Sequence, residues 1–157
     1  MKRVFTLLLA PVILGFLAPH LLPAERQRIG FLFNLGFMTK GRISANWLTF
    51  GPELMIPLGT SVSLNPEVTV WGSSFGTSSY FVAPGALVSI RLGRLSVGAG
   101  PVRRLKYSGY PKADSSERIS LKIQVGYGSW NSRIALIVIP LPTNDGVHYG
   151  LAFGIGF

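Results

Sequence analysis

The 157 residues contain no cysteine, so no disulfide braces the fold and no thiolate serves as nucleophile or metal ligand. Charge is also scarce, at 13% of residues, and only 6 of those residues are acidic against 15 basic. Histidine occurs twice, and after the N-terminal stretch only His148 remains, too few imidazoles for a histidine-based metal centre. A phosphate-binding loop and a glycine fingerprint after a strand are both missing. Beyond residue 24 there is neither a run of 18 apolar residues nor a sustained 3.6-residue stripe. These two absences argue against membrane-spanning helices and against a helical bundle. The chain is nonetheless 48% hydrophobic and carries 19 glycines, so the apolar content must be organised in strands.

The N-terminus reads as a secretory signal. Lys2 and Arg3 provide the positive start, residues 7–17 the apolar stretch, and Leu22-Pro23-Ala24 a cleavage site before Glu25. An uncleaved anchor helix is the alternative, and Pro11, Pro19 and His20 oppose it. Cleavage would divide the sequence into a signal peptide, 1–24, and a mature domain, 25–157. Loss of Lys2 and Arg3 lowers the basic count from 15 to 13 against 6 acids, a charge near +7.

The mature part repeats a segment of roughly ten residues that alternates apolar and small or polar side chains and ends in turn residues. Eight such segments are expected, at 28–38, 46–56, 61–72, 80–91, 94–104, 118–128, 132–140 and 147–157. Alternation is cleanest at 118–128, where Ile119, Leu121, Ile123, Val125 and Tyr127 share one face and Ser120, Lys122, Gln124 and Gly126 the other. The segment 132–140 is almost continuously apolar, so its parity stays open. Pro66, Pro84 and Pro101 fall inside segments, where each removes a ladder donor and is expected to mark a bulge or a frayed pairing.

Connections alternate between short (57–60, 92–93, 129–131) and longer (39–45, 73–79, 105–117, 141–146). This pattern predicts an all-β, eight-stranded antiparallel up-and-down transmembrane barrel with short turns at one end and long loops at the other. Open sheet edges are not viable in lipid, so spanning segments must close on themselves. Tyr80, Tyr127, Tyr149 and Trp130 fall near segment ends, as an aromatic girdle requires.

Residues 147–157 alternate strictly and end on Phe157. Their apolar face, Tyr149, Leu151, Phe153, Ile155 and Phe157, resembles the carboxy-terminal assembly signal of bacterial outer-membrane barrels. Together with the eight segments and the signal peptide, it makes the chain similar to the small eight-stranded outer-membrane barrel family. The stretch Phe50-Gly51-Pro52-Glu53-Leu54 followed by Ser63-Leu64-Asn65-Pro66-Glu67-Val68 also resembles the second hairpin of outer-membrane β-barrel domains. The resemblance implies a Gram-negative outer-membrane location, insertion by the barrel-assembly machinery and contact with outer-membrane lipid. It implies no cofactor, and no peptidoglycan-binding domain is expected after the barrel.

Parity turns Glu53, Glu67, Arg91, Arg104 and Lys122 toward the interior. Charges there must be paired or hydrated, so a lumen charge network that fills the barrel is expected. A narrow pore for small solutes, lined by the same residues, is the alternative. The longest connection is basic, and Arg103, Lys106, Lys112 and Arg118 are candidate contacts for lipopolysaccharide phosphates. Export makes nucleic acid an implausible partner for that cluster, and the protein is expected to be a monomer.

Catalysis is not expected. Lipid A deacylases use a His and a Ser two apart on one strand, whereas the position two beyond His148 is Gly150. The expected role is a non-enzymatic one in the envelope or at the surface. A secreted lipocalin-like barrel that binds an apolar ligand is the competing class, distinguished by which face of the strands is wet.

Overall fold

A computed structural model describes residues 29–40, 46–73, 79–108, 110–114, 119–129, 131–140 and 146–157. The expected signal peptide, 1–24, lies outside the described residues, as does Trp130. Among the described residues ten strands form: β1 Gly30–Lys40, β2 Asn46–Pro57, β3 Val62–Ser73, β4 Ser79–Leu92, β5 Leu95–Arg103, β6 Leu105–Ser108, β7 Tyr110–Asp114, β8 Ile119–Gly128, β9 Ser132–Pro140 and β10 Val147–Gly156. Every pairing is antiparallel. The sheet runs from β3 through β2, β1, β10, β9, β8 and β5 to β4, and β4 pairs with β3 to close it. The result is a closed, eight-stranded, up-and-down barrel.

Two strands are additional to the eight expected. Strand β6 pairs with β4 in the register already set by β5, Gly85↔Val102 continuing as Val82↔Leu105 and Ser79↔Ser108. β5 and β6 are therefore one barrel strand interrupted at Arg104. Strand β7 folds back on β6, so most of the expected 105–117 loop is a hairpin rather than a loop. The alternation of Leu105 and Tyr107 with Lys106 and Ser108 carries the strand beyond the barrel rim.

The prolines do not create bulges. On either side of them the register of β2–β3 is the same, Phe50↔Val70 and Ile56↔Leu64, with only Glu53↔Glu67 paired between. Pro52 and Pro66 are instead fully paired on their other flank, with Phe33 and Ala86. Pro84 and Pro101 repeat the arrangement, paired with Val68 on β3 and Leu121 on β8 while the β4–β5 ladder breaks off beside them. Each ring thus turns its missing donor toward one neighbour and leaves the other ladder intact.

Close curvature depends on two glycines that precede prolines. A Cβ on Gly51 would overlap the Val68 carbonyl oxygen, and one on Gly100 the Ala86 carbonyl oxygen. The backbones approach so tightly there that no side chain fits.

Burial alternates along the strands. On β8, Ile119, Val125 and Tyr127 are exposed while Ser120, Lys122, Gln124 and Gly126 are buried. Strand β9, whose parity the sequence left open, buries Arg133, Ala135, Ile137 and Ile139 and exposes Ile134, Leu136 and Pro140.

Candidate functional site: the barrel interior

The lumen is stacked in three layers. Nearest the short turns, Glu53 of β2 is almost fully buried and forms an ion pair with Arg133 of β9, closing on both of its oxygens. Asn34 Nδ2 donates to the same carboxylate at 2.8 Å and Asn65 Nδ2 at 2.7 Å, while Ser63 Oγ donates to Asn65 Oδ1. With its amide oxygen turned to Arg133, Gln124 accepts from both terminal nitrogens at 3.1 and 3.2 Å. Four strands besides β2 therefore contribute to holding one carboxylate.

The middle layer is the pair of Lys122 and Glu67, with Nζ donating to both carboxylate oxygens at 2.6 and 2.7 Å. Both side chains are buried, at 6% and 2% exposure, so neither charge is solvated. A buried pair of this kind is tolerated only with close geometry, and removing one partner strands the other.

Toward the long loops the interior becomes aromatic and apolar. Trp71, Phe81, Met38, Ala83, Val102, Ile137, Ile139 and Ala152 form one buried cluster, with Trp47 packed against it. The Trp47 and Phe81 rings meet edge to face at 5.0 Å. Above them the Arg104 guanidinium lies 5.5 Å from the Trp71 ring centre and 5.6 Å from that of Phe81, in cation–π range. Arg104 Nη1 also donates to His148 Nε2 at 3.3 Å, and the imidazole leans on Trp71.

Of the five residues expected in one charge network, the structure pairs Glu67 with Lys122. Arg133, not assigned from the sequence, takes Glu53. Arg91 stands at the opposite rim from Arg104, where its Nε donates to the Gly93 carbonyl and its Nη2 to that of Gly128. Among the described residues, two ion pairs thus lie in adjacent layers, Glu53 with Arg133 and Glu67 with Lys122, and Arg91 and Arg104 stand toward opposite ends. Two cavities in the lumen have volumes of about 30 and 20 Å³. Each has room for about one or two waters.

Among the candidate lipid contacts, Arg103 is exposed at the long-loop end. Lys106 stands opposite Phe81 in the ladder and Lys112 lies on β7, while Arg118 is outside the described residues. The side chains of Lys106 and Lys112 also lie outside the description. On β10 and the residue after it the apolar face is exposed: Tyr149 47%, Leu151 39%, Phe153 49%, Ile155 62% and Phe157 88%. The Phe157 amide donates to the Phe31 carbonyl, which ties the closing strand to β1.

No family model matches the sequence, and no curated protein matches it. Among solved structures, a chain from "De novo design of transmembrane beta-barrels" superposes with a TM-score of 0.61 at 10% identity, covering 85% of this chain and 99% of the other. At that identity the likeness is one of fold: this chain is a closed eight-stranded barrel similar to a transmembrane barrel.

Proposed function

We propose that the chain is an integral outer-membrane β-barrel with a non-enzymatic role in the envelope or at the cell surface, delivered by a cleaved signal at 1–24. One observation carries this reading, namely the inversion of polarity between the two faces. Large apolar side chains, among them Leu35, Phe50, Val125, Leu136 and Phe153, are exposed outside, whereas Glu53, Glu67, Lys122 and Arg133 are buried inside. A water-soluble barrel would bury the apolar set. Exposed apolar surface on this scale is stable when hydrocarbon covers it. Tyr80 and Tyr149 at the long-loop end and Tyr127 at the short-turn end stand where interfacial girdles belong.

Layered ion pairs and small cavities favour a filled interior over a solute pore. The histidine environment supports a structural role as well, since His148 contacts Arg104 and Trp71, neither of which is a nucleophile or an acid. Lipopolysaccharide is the partner we assign to the exposed Arg103 and to the basic hairpin beyond it. The barrel-assembly machinery would receive the exposed face of β10 during insertion.

Membrane fractionation, combined with gel migration before and after boiling, tests the reading. Expected are recovery in the outer membrane and a heat-dependent shift, while a soluble periplasmic protein without a shift would overturn it. In planar bilayers the folded protein and its Glu67→Gln variant are both expected to stay electrically silent.

A further inference from the structure

At the short-turn rim the outer wall carries a groove of about 610 Å³, the size of a small-ligand site. Its shape follows from the ladder. Tyr127 of β8, Ile134 of β9 and Phe153 of β10 pair across neighbouring strands and form one outward row. One step nearer the rim Ile155 stands opposite Ser132, while β8 has ended at Gly128 and Ser129 follows, so small side chains leave a hollow between large ones. Arg94 borders the same groove from the turn before β5, where its carbonyl accepts from the Gly128 amide at 2.8 Å.

The lining is ordered by polarity along the barrel axis, with the apolar row deeper in the wall and Arg94, Ser129 and Ser132 at the rim. Ser129 Oγ accepts from the amides of Asn131 and Ser132 and lies 3.3 Å from Ser132 Oγ. One hydroxyl hydrogen is used between the two serines, and the other is left to donate outward. Arg94 is exposed and enters no ion pair among the described residues. Nor does any acid among them line the groove. Glu53 is buried and held by Arg133, and Phe157, which bears the terminal carboxylate, packs on Phe31 at the β1 side. Glu67 lies in the lumen and Asp114 on β7 at the long-loop end. Glu117 and Asp145 lie outside the described residues, as does Glu25, which is followed in sequence by Arg26 and Arg28.

We infer that this groove binds one anionic phospholipid, with the phosphodiester at Arg94 and the serine hydroxyls and an acyl chain over Ile134 and Phe153. A guanidinium matches phosphate oxygens in geometry as well as charge, and a hydroxyl beside it adds a donor. Below the rim the apolar row suits hydrocarbon, so headgroup and chain meet the lining in the order in which a membrane lipid presents them. The inference rests on the membrane reading and refines it. Lipopolysaccharide is assigned to the basic hairpin at the long-loop end, and this groove, at the opposite end, takes a different lipid.

The test uses the full barrel in dodecylmaltoside, titrated with dioleoyl phosphatidylglycerol while native mass spectrometry counts the lipids retained per barrel. Saturation at one lipid is expected. Dioleoylglycerol, which has the chains without the phosphate, should bind about fivefold more weakly or worse, the worth of one cation beside a phosphate at a membrane surface. Arg94→Gln should weaken phosphatidylglycerol binding by the same factor, and Arg94→Lys should restore most of it. Ser132→Leu fills the hollow from an exposed position and should remove saturable binding while the heat-dependent gel shift is retained. Lys40→Gln removes one cation at the opposite end and should change nothing. The inference is overturned if the phosphate-free lipid binds equally well, if Arg94→Gln and Lys40→Gln act alike, or if retention rises without saturating, as it does for a nonspecific lipid shell. Any of these in a barrel that fractionates with the outer membrane and shows the gel shift leaves the membrane reading standing, whereas a soluble protein without the shift overturns that reading itself.

Discussion

Arg133 on β9 reaches across the lumen to clasp Glu53 on β2, a residue 80 positions away in sequence. The clasp joins two walls that share no backbone ladder, so it acts on the closed barrel and not on any hairpin within it.

Removing either half should therefore weaken the closed state as a whole. Arg133→Met leaves the Glu53 carboxylate with only Asn34 and Asn65, and a buried charge stripped of its partner costs about 3–5 kcal/mol. Urea unfolding of the refolded barrel should record a loss of that order. The double variant Glu53→Gln with Arg133→Met should lose less than the two single losses added together. Additive losses would mean that the two side chains do not cooperate.

Most of the interior was legible because strands with polar interiors alternate visibly. Glu53, Glu67 and Lys122 sit on the small or polar parity of their segments, and the structure buries all three. Arg133 escaped notice because β9 crosses the aromatic layer, where Ile137 and Ile139 face inward, so both of its faces are apolar and the contrast disappears. The direction of each proline's missing donor was beyond reach, because it depends on which neighbour a residue's N–H faces, and alternation of side chains carries no such information. The β6–β7 hairpin was obscured in the same way by its basic residues, which read as a solvated loop.

Close backbone approach gives a sharp steric prediction. Gly51→Ala and Gly100→Ala each force a methyl into a carbonyl oxygen of the adjoining strand, which cannot rotate away as a side chain would. Overpacking of this kind costs about 1–3 kcal/mol or more. Gly59→Ala meets nothing within 4 Å and should fold like the parent. The yield of heat-modifiable protein after refolding distinguishes the three.

Ladder repair at the prolines should have the opposite sign. Pro84 is paired with Val68 on one side, while on the other it faces the break between β5 and β6. Pro84→Ala supplies an amide hydrogen toward that break, and a net gain of about 0.5–1.5 kcal/mol is expected for the recovered bond. Amide exchange of residues 102–105 should slow in the variant, whereas exchange along β3, already fully paired with β4, should not change. Faster exchange at 102–105 would mean that the ring stiffens the wall more than the absent donor weakens it.

The polarity inversion can be tested by depth. Leu136 lies at the middle of β9 and is 61% exposed, and Ile155 is 62% exposed but close to the short-turn rim. In water the two positions are equivalent, and arginine at either would be harmless. In a bilayer, arginine at the midplane costs about 2–4 kcal/mol and near the interface about 0–1 kcal/mol. Leu136→Arg should therefore destabilise the barrel in phosphatidylcholine vesicles by several times the effect of Ile155→Arg, as measured by urea titration. Equal and small effects would place water, not hydrocarbon, against the outer wall.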